Sequence, residues 1–307
     1  VNVVVLSGGV GGARFVRGVV AVAGAESTTV IGNVGDDVEV LGLHVSPDLD
    51  SILYALAGLS DDIRGWGRAE ESWRALETVR ALGGEGWFAL GDLDLGLHLV
   101  RTAALRAGEP LSAVTARLAA RLGVETPLLP ATDDRLRTWL ETPDGEFAFQ
   151  EWFVARGHRD EVDAVRFEGE ETARPAPGVL EAIAAADTIL LAPSNPYVSL
   201  APILAVRELR DAIAARQVPC VAVSPLIEGR AVKGPADRML ERLAGGTSPR
   251  HVAACYEGLI DALVVDEADA DDLDGLGDVR PILAQTLMYD AGARRRLASA
   301  ALGAVPA

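Results

Sequence analysis

Short, unbroken apolar runs alternate along this chain with longer stretches whose apolar residues return at helical spacing. The runs at 3–6 (VVVL), 28–31 (TTVI), 188–192 (TILLA), 218–223 (VPCVAV) and 262–265 (ALVV) predict strands. All but the last give way to loops of Gly, Pro, Ser or Asn. Strands that are apolar on both faces and separated by helices predict an α/β fold, a mostly parallel sheet with helices on both faces. In such sheets ligands bind beyond the carboxyl ends of the strands, so chemistry is expected in the loops that follow these runs.

A helix is predicted where Leu111, Val114, Leu118 and Leu122 recur, capped by Ser112 and ended by Gly123. The stretch 96–178 reads as more helical and less regular, with Pro127, Pro130, Pro143, Pro175 and Pro177 as punctuation. It is expected to form an insertion or lid-like layer on a single α/β domain covering 1–307. The acidic run 266–278 reads as a solvated loop, because it lacks the central glycine and closing glutamate of a calcium loop.

With 307 residues, 49% of them hydrophobic, the chain can bury a sizeable core. No stretch reaches the roughly 18 uninterrupted apolar residues of a membrane span. The first residues run into a glycine loop without a basic n-region or cleavage site, so no signal peptide is expected. Cys220 and Cys255 sit in apolar company without metal-ligand spacing, in keeping with a reducing, cytoplasmic setting. A net charge of −17 argues against a nucleic-acid surface, which needs clustered Lys and Arg. Lysine occurs once, at Lys233. Bound phosphates would therefore be met by backbone amides, a few arginines and a metal ion.

The loop Ser7-Gly8-Gly9-Val10-Gly11-Gly12-Ala13-Arg14 joins the first strand to a helix. Glycines admit phosphate oxygens to backbone N–H groups, the helix N-terminus adds its dipole, and Arg14 adds charge. The spacing is neither the dinucleotide fingerprint nor a Walker loop, and the alternative is a tight turn with no ligand. Gly32-Asn33-Val34-Gly35-Asp36-Asp37 follows the second strand, and Ser46-Pro47-Asp48-Leu49-Asp50 enters a helix. A cap at that entrance needs one carboxylate, worth about 1 kcal/mol. Asp48 and Asp50, with Asp36 and Asp37, offer what a magnesium site between loops requires, namely oxygen ligands with room for water. Gly91-Asp92-Leu93-Asp94 and Thr132-Asp133-Asp134 read as turns, caps or further acidic site loops. Ala192-Pro193-Ser194-Asn195-Pro196 follows a buried strand; its prolines stiffen the loop while Ser194 and Asn195 offer hydrogen bonds to a base or phosphate. Ser224-Pro225 and Lys233-Gly234-Pro235 lie further on.

His44, His98, His158 and His251 share no zinc-ligand spacing. No nucleophile elbow or Cys–His pair stands out. Acidic loops without a nucleophile favour direct transfer assisted by a metal.

Read in order, these loops resemble the 2-phospho-L-lactate transferase family of coenzyme F-420 biosynthesis, above all its actinobacterial phosphoenolpyruvate transferases. The matching segments are LSGGVGGARF at 6–15, NVGDD at 33–37, SPDLDSILY at 46–54, RGWG at 64–67 and LGDLDLGLHLVRT at 90–102. LLPATDDR at 128–135, FQEWF at 149–153 and LAPSNPYVSL at 191–200 continue the series. The likeness extends beyond residue 235 and thins in the last fifth of the chain. One position departs from the family pattern: Leu93 stands where the family usually has arginine.

The resemblance implies a Rossmann-like core and a Mg2+-dependent reaction. In that reaction the deazaflavin alcohol Fo attacks the acid-bearing phosphate of a guanosine diphospho-acid donor and GMP leaves. It implies donor binding by Ser7, Gly8, Gly9, Val10, Gly11, Gly12, Arg14, Ser194 and Asn195. It further implies that Asp48 and Asp50 lie beside the reacting groups. Asp50, Asn33 and Asp92 would face Fo, and Asp36, Asp37 and Asp48 would hold the metal. A homodimer is compatible with this reading, and neither nucleic acid nor membrane is an expected partner. In-line attack on a diphosphate needs charge neutralisation and positioning more than covalent help. A carboxylate near the alcohol can orient it and accept its proton, and Asp50 is the expected one. The alternative is a non-enzymatic nucleotide-sugar-binding regulator with a similar glycine loop. Regulators of that kind carry an Asp-Asp-Gly-Gly-Ser-Ser-Gly run, whereas Val-Glu-Val follows Asp37 here. A nicotinamide dehydrogenase would need a fingerprint that is absent. The donated acid, enolpyruvyl by likeness and lactyl as the alternative, is not written in any one residue.

Overall fold

The first predicted strand is buried along its whole length, with Val5 and Leu6 wholly out of reach of solvent. In the computed structural model, which describes residues 1–303, this strand, β1 (Val3–Ser7), lies inside a seven-stranded sheet. After it come α1 (Gly9–Ala23), β2 (Thr28–Gly32), the hairpin of β3 (Val38–Val40) and β4 (Leu43–Val45), and α2 (Pro47–Leu56). Three helices follow, α3 (Arg74–Ala81), α4 (Asp92–Arg106) and α5 (Leu111–Arg121), then β5 (Leu128–Pro130). A separate antiparallel sheet is made of β6 (Arg137–Thr142), β7 (Gly145–Ala148) and β8 (Ala164–Glu168). The chain then returns through α6 (Val179–Ala184), β9 (Thr188–Leu191), α7 (Ala201–Ala205), α8 (Arg207–Ala214) and β10 (Cys220–Val223). It ends with a small hairpin, β11 (Leu226–Ile227) and β12 (Arg230–Ala231), followed by α9 (Ala236–Ala244), α10 (Pro249–Ala254), β13 (Ala262–Asp266), β14 (Arg280–Ala284) and α11 (Ala291–Gly303).

The main sheet runs β14-β13-β10-β9-β1-β2-β5, and all its pairings are parallel. All five predicted strands belong to it. Val5 sits opposite Val30 on one side and Leu190 on the other, so the apolar runs read from sequence form one continuous core. From β1 the chain steps to β2 on one side, and it later returns to β9 on the other. β1 and β9 therefore flank the topological switch point of the sheet, where ligands of α/β folds bind, and the loops that follow them meet there. α1 packs against α2 on one flank and α11 on the other; a Cβ on Gly18 would come within 2.4 Å of the Arg294 carbonyl oxygen.

The stretch 96–178 differs from its sequence reading. Besides most of α4 and all of α5, it contains the edge strand β5 and the whole antiparallel sheet. β5 pairs with β2, which ties this stretch into the main sheet, and Pro130 is tolerated because it lies on the edge. Ser112 does not cap α5: it lies inside the helix, and its N–H and Oγ donate to Asp133 at 2.6 and 2.7 Å. The carboxylate that serves this helix start comes from the Thr132-Asp133-Asp134 loop. Among the described residues no helix is long and apolar enough to cross a membrane, and Cys220 and Cys255 are free thiols.

Candidate active site

At the switch point lies the glycine loop. Gly8 precedes α1 in extended conformation, and Gly9, at φ +66°, makes the left-handed turn that a side chain would strain. Gly8 and Gly12 are glycines because of close packing. A Cβ on Gly8 would lie 2.5 Å from Asp48 Oδ2, and one on Gly12 would lie 2.5 Å from Ser7 Oγ and 2.6 Å from Ser194 Oγ. Gly11 is exposed, and Gly9 and Val10 are half-buried. Ser194 Oγ donates to the Gly8 carbonyl at 2.7 Å and accepts from the Gly8 amide at 3.4 Å, which stitches the loops after β1 and β9 together. Asn195 works locally: Oδ1 accepts from the Tyr197 amide at 2.9 Å, and Nδ2 lies 3.3 Å from Met239 Sδ.

Beside the glycine loop lie four carboxylates. Asp36, Asp37, Asp48 and Asp50 are all buried, at 4–6% exposure. Asn33, fully buried, organises them: Nδ2 donates to Asp48 Oδ2 at 2.9 Å and to the Val198 carbonyl at 3.2 Å, while Oδ1 accepts from the Gly35 amide at 2.7 Å. Asp37 Oδ2 accepts from Ser46 Oγ and meets His44 Nε2, both at 2.8 Å. Burial, then the charge of Asp48, push Asp36 well above the usual carboxylate range. Burial likewise raises Asp48 to about 6, opposed by the Asn33 bond and the Gly9 amide and reinforced by Asp37 and Asp50. Oδ1 of Asp36, Oδ1 of Asp37 and Ser7 Oγ are buried without a hydrogen-bond partner among the described residues. Those residues hold no group of three or more His, Cys, Asp or Glu side chains at metal-ligand spacing. The site therefore offers pairs of carboxylate oxygens rather than a closed protein cage.

Behind Asp50 lies a second polar layer that sequence reading missed. Both terminal nitrogens of Arg101 donate to the Asp50 carboxylate, one of them at 3.0 Å, in a pair buried on both sides. Burial works against the Arg101 charge, but Asp50, with Asp37 and Tyr54 adding, outweighs it and raises the guanidinium pKa. Arg101 Nη1 also lies 3.3 Å from His98 Nδ1. His98 Nε2 faces Asp94 Oδ2 at 3.2 Å, an ion-pair distance without hydrogen-bond alignment. Tyr54 Oη donates to Asp94 Oδ1. Burial opposes the Asp94 charge, yet His98, Tyr54 and Arg101 together hold its pKa below the usual range. Asp94, His98 and Arg101 recur four and three residues apart, a polar stripe on the inner face of α4 that could have been read as a signal.

Asp92 occupies a different place from Asp94. Its carboxylate accepts from Ser72 Oγ at 2.5 Å and from the Arg74 and Ala75 amides at 3.2 and 3.0 Å, so it serves the start of α3. Leu93 is exposed, its amide bonded to Glu71. Arg14, with Val10, Arg17, Ser51, Asp62 and Trp66, lines a shallow pocket between α1, α2 and the 60–67 loop.

A phosphoenolpyruvate transferase of Streptomyces griseus is 46% identical over 275 residues, covering 88% of this chain and 86% of its own. The enzyme of that name from Thermobifida fusca is 45% identical over 286 residues, covering 88% of each chain. One from Nocardia farcinica is 41% identical over 294 residues, covering 92% of this chain and 88% of its own. A crystal structure of a UPF0052-family protein from Bacillus halodurans superposes with a TM-score of 0.65 at 20% identity, covering 98% of both chains, a likeness of fold alone. The family model described as 2-phospho-L-lactate transferase CofD matches residues 3–287, and the chain belongs to that family.

Proposed function

We propose that this protein transfers a phospho-organic acid, with enolpyruvyl favoured over lactyl, from a guanosine diphospho-acid donor to the deazaflavin alcohol Fo, releasing GMP in coenzyme F-420 assembly. One observation carries the reading: the Asp48 carboxylate lies directly against Gly8, where α1 begins. A helix start lined by glycines attracts phosphate, whereas a buried carboxylate repels it. The two belong together when a cation bridges them.

The residues fit magnesium. Oδ1 of Asp36 and of Asp37 are buried and unpartnered, and burial, reinforced by neighbouring carboxylates, raises the pKa values of Asp36 and Asp48. Magnesium is usually bound through one or two carboxylates plus substrate phosphates and water, so the lack of a three-ligand cage suits it. Asp36 and Asp48 would hold the ion, with Asp37 beside them. When bound, the ion neutralises the diphosphate and polarises the phosphorus under attack.

The chain's own groups do the rest. The amides at the start of α1 take the donor phosphates, and Ser194 holds that loop in shape. Asp50, fixed by Arg101, orients the attacking hydroxyl through the lone pairs that Arg101 leaves free. In a loose transition state positioning and charge stabilisation dominate, so Asp50 can accept the proton late without being a strong base.

The test is direct incubation with Fo and a mixed pool of enolpyruvyl and lactyl donors, with mass spectrometry of the product. Appearance of GMP with an enolpyruvyl-bearing deazaflavin is expected. Folded protein that binds guanine nucleotide but makes no adduct from either donor would refute the reading.

A further inference from the structure

We infer that Arg101 is a positioning residue for the acceptor alcohol: it locks the Asp50 carboxylate in one orientation, and His98, Asp94 and Tyr54 lock Arg101 in turn. The inference rests on the transferase reading above. Arg101 is 1% exposed and directs both terminal nitrogens to Asp50, so it acts through that carboxylate and touches no substrate itself. A bidentate guanidinium–carboxylate bridge fixes the plane of the carboxylate as well as its place.

The groups behind Arg101 form a chain with one end. A guanidinium only donates, so the 3.3 Å contact makes His98 Nδ1 the acceptor and puts the ring proton on Nε2. Nε2 lies 3.2 Å from Asp94 Oδ2 without hydrogen-bond alignment, so Asp94 confines the ring by close contact. Asp94 is held from its other oxygen by Tyr54. Asp50 and Tyr54 lie one turn apart on α2, and Asp94, His98 and Arg101 share one face of α4. Two helices can be joined more cheaply by apolar contact, because a buried ion pair loses much of its attraction to desolvation. Five polar groups at this junction are explained by their terminus, the Asp50 carboxylate, whose charge acts on Asp48 beside the glycine loop. Asp48, two residues earlier, has no such backing; its side-chain partner is the neutral Asn33.

The experiment compares wild type with Arg101→Lys, which keeps the charge but cannot bridge both oxygens. The readouts are kcat/KM for Fo, kcat/KM for the donor, calorimetric affinity for GDP, and the thermal midpoint. A fall of about 10- to 100-fold in kcat/KM for Fo is expected, the usual cost of removing the group that orients a functional ligand. GDP affinity should stay within about twofold. Unchanged kcat/KM for Fo would overturn the inference. So would a uniform loss in all parameters that tracks a fallen thermal midpoint, since that is a structural role. Tyr54→Phe keeps the shape and reads the far end of the chain: a selective loss toward Fo supports the inference, and no loss counts against it. Absence of transfer in the wild-type protein refutes the underlying function before any variant is made.

Discussion

Asn33 Nδ2 donates to Asp48 Oδ2 at 2.9 Å, joining the loop after β2 to the first turn of α2. Burial, with the charges of Asp37 and Asp50, disfavours an anion there and raises the pKa of Asp48 to about 6, and the Asn33 bond works against that rise. Asp48→Asn removes the charge and keeps the shape. The ligand-free variant should be at least as stable as wild type, by up to about 1–3 kcal/mol or a few degrees in thermal midpoint. Transfer should fall by about two orders of magnitude or more. A lower midpoint with normal turnover would make Asp48 a structural residue.

Acidification should stabilise the ligand-free protein. A carboxyl with a raised folded-state pKa binds its proton more tightly in the folded chain than in the unfolded one. Between the ordinary value of 3.8 and about 6, the Asp48 contribution therefore falls as pH rises, and Asp36 acts in the same direction. The thermal midpoint should rise as pH is lowered from about 7.5 to about 5, and Asp48→Asn should flatten the slope. An equal slope in both proteins would separate it from Asp48.

Magnesium should restore what a chelator removes. Its affinity should increase with pH through about 6, because the carboxylates must lose their protons to bind it. Full transfer in excess chelator would contradict an acidic metal site.

The parallel sheet was legible because its strands are buried on both faces and so read as unbroken apolar runs. β5 and β14 escaped for the opposite reason: they lie at the edges, each carries a proline, and neither needs a run of apolar residues. The antiparallel β6, β7 and β8 mix Arg, Thr and Glu with single aromatics, which blurs their period. Asp92 and Asp94 enter α4 from a loop after α3. Three other acidic loops were legible because they follow strands, Asp36 and Asp37 after β2, Asp48 and Asp50 after β4, and Asp133 and Asp134 after β5. Arg101, His98 and Tyr54 were not, since they sit within helices and meet Asp50 only when α2 and α4 pack. Asp92 and Asp94 look alike in sequence; their different places follow from helical geometry, which turns one toward α3 and the other inward.

The glycine loop separates packing from ligand approach. Gly12→Ala brings a Cβ against Ser7 and Ser194 and should cost about 1–3 kcal/mol by overpacking. Gly11 is exposed, and its Cβ would meet only the Pro193 carbonyl oxygen, at 3.1 Å. Gly11→Ala sets that tight contact against the higher helix propensity of alanine, so it should cost less stability than Gly12→Ala while weakening GDP binding by about tenfold, or 1.4 kcal/mol. Unchanged affinity in calorimetry would move the phosphates away from this turn.

Asp50→Asn is the obvious probe of the acceptor end, and on sequence alone it separates a catalytic carboxylate from a helix cap, since Asn caps about as well as Asp. The Arg101 pair changes that expectation. An amide at position 50 leaves a guanidinium buried at 1% exposure without its counter-charge, a loss on the order of 3–5 kcal/mol. The single variant should therefore lose both stability and transfer, and neither loss alone identifies the role. The double variant Asp50→Asn with Arg101→Met removes both charges together. Its thermal midpoint should recover most of the way to wild type, because a buried pair replaced as a unit costs little. GDP binding should persist, and transfer to Fo should stay down by about two orders of magnitude. Recovery of turnover along with stability would show that the pair only joins α2 to α4, and the group that orients the alcohol would then have to be sought at Asp36 and Asp37.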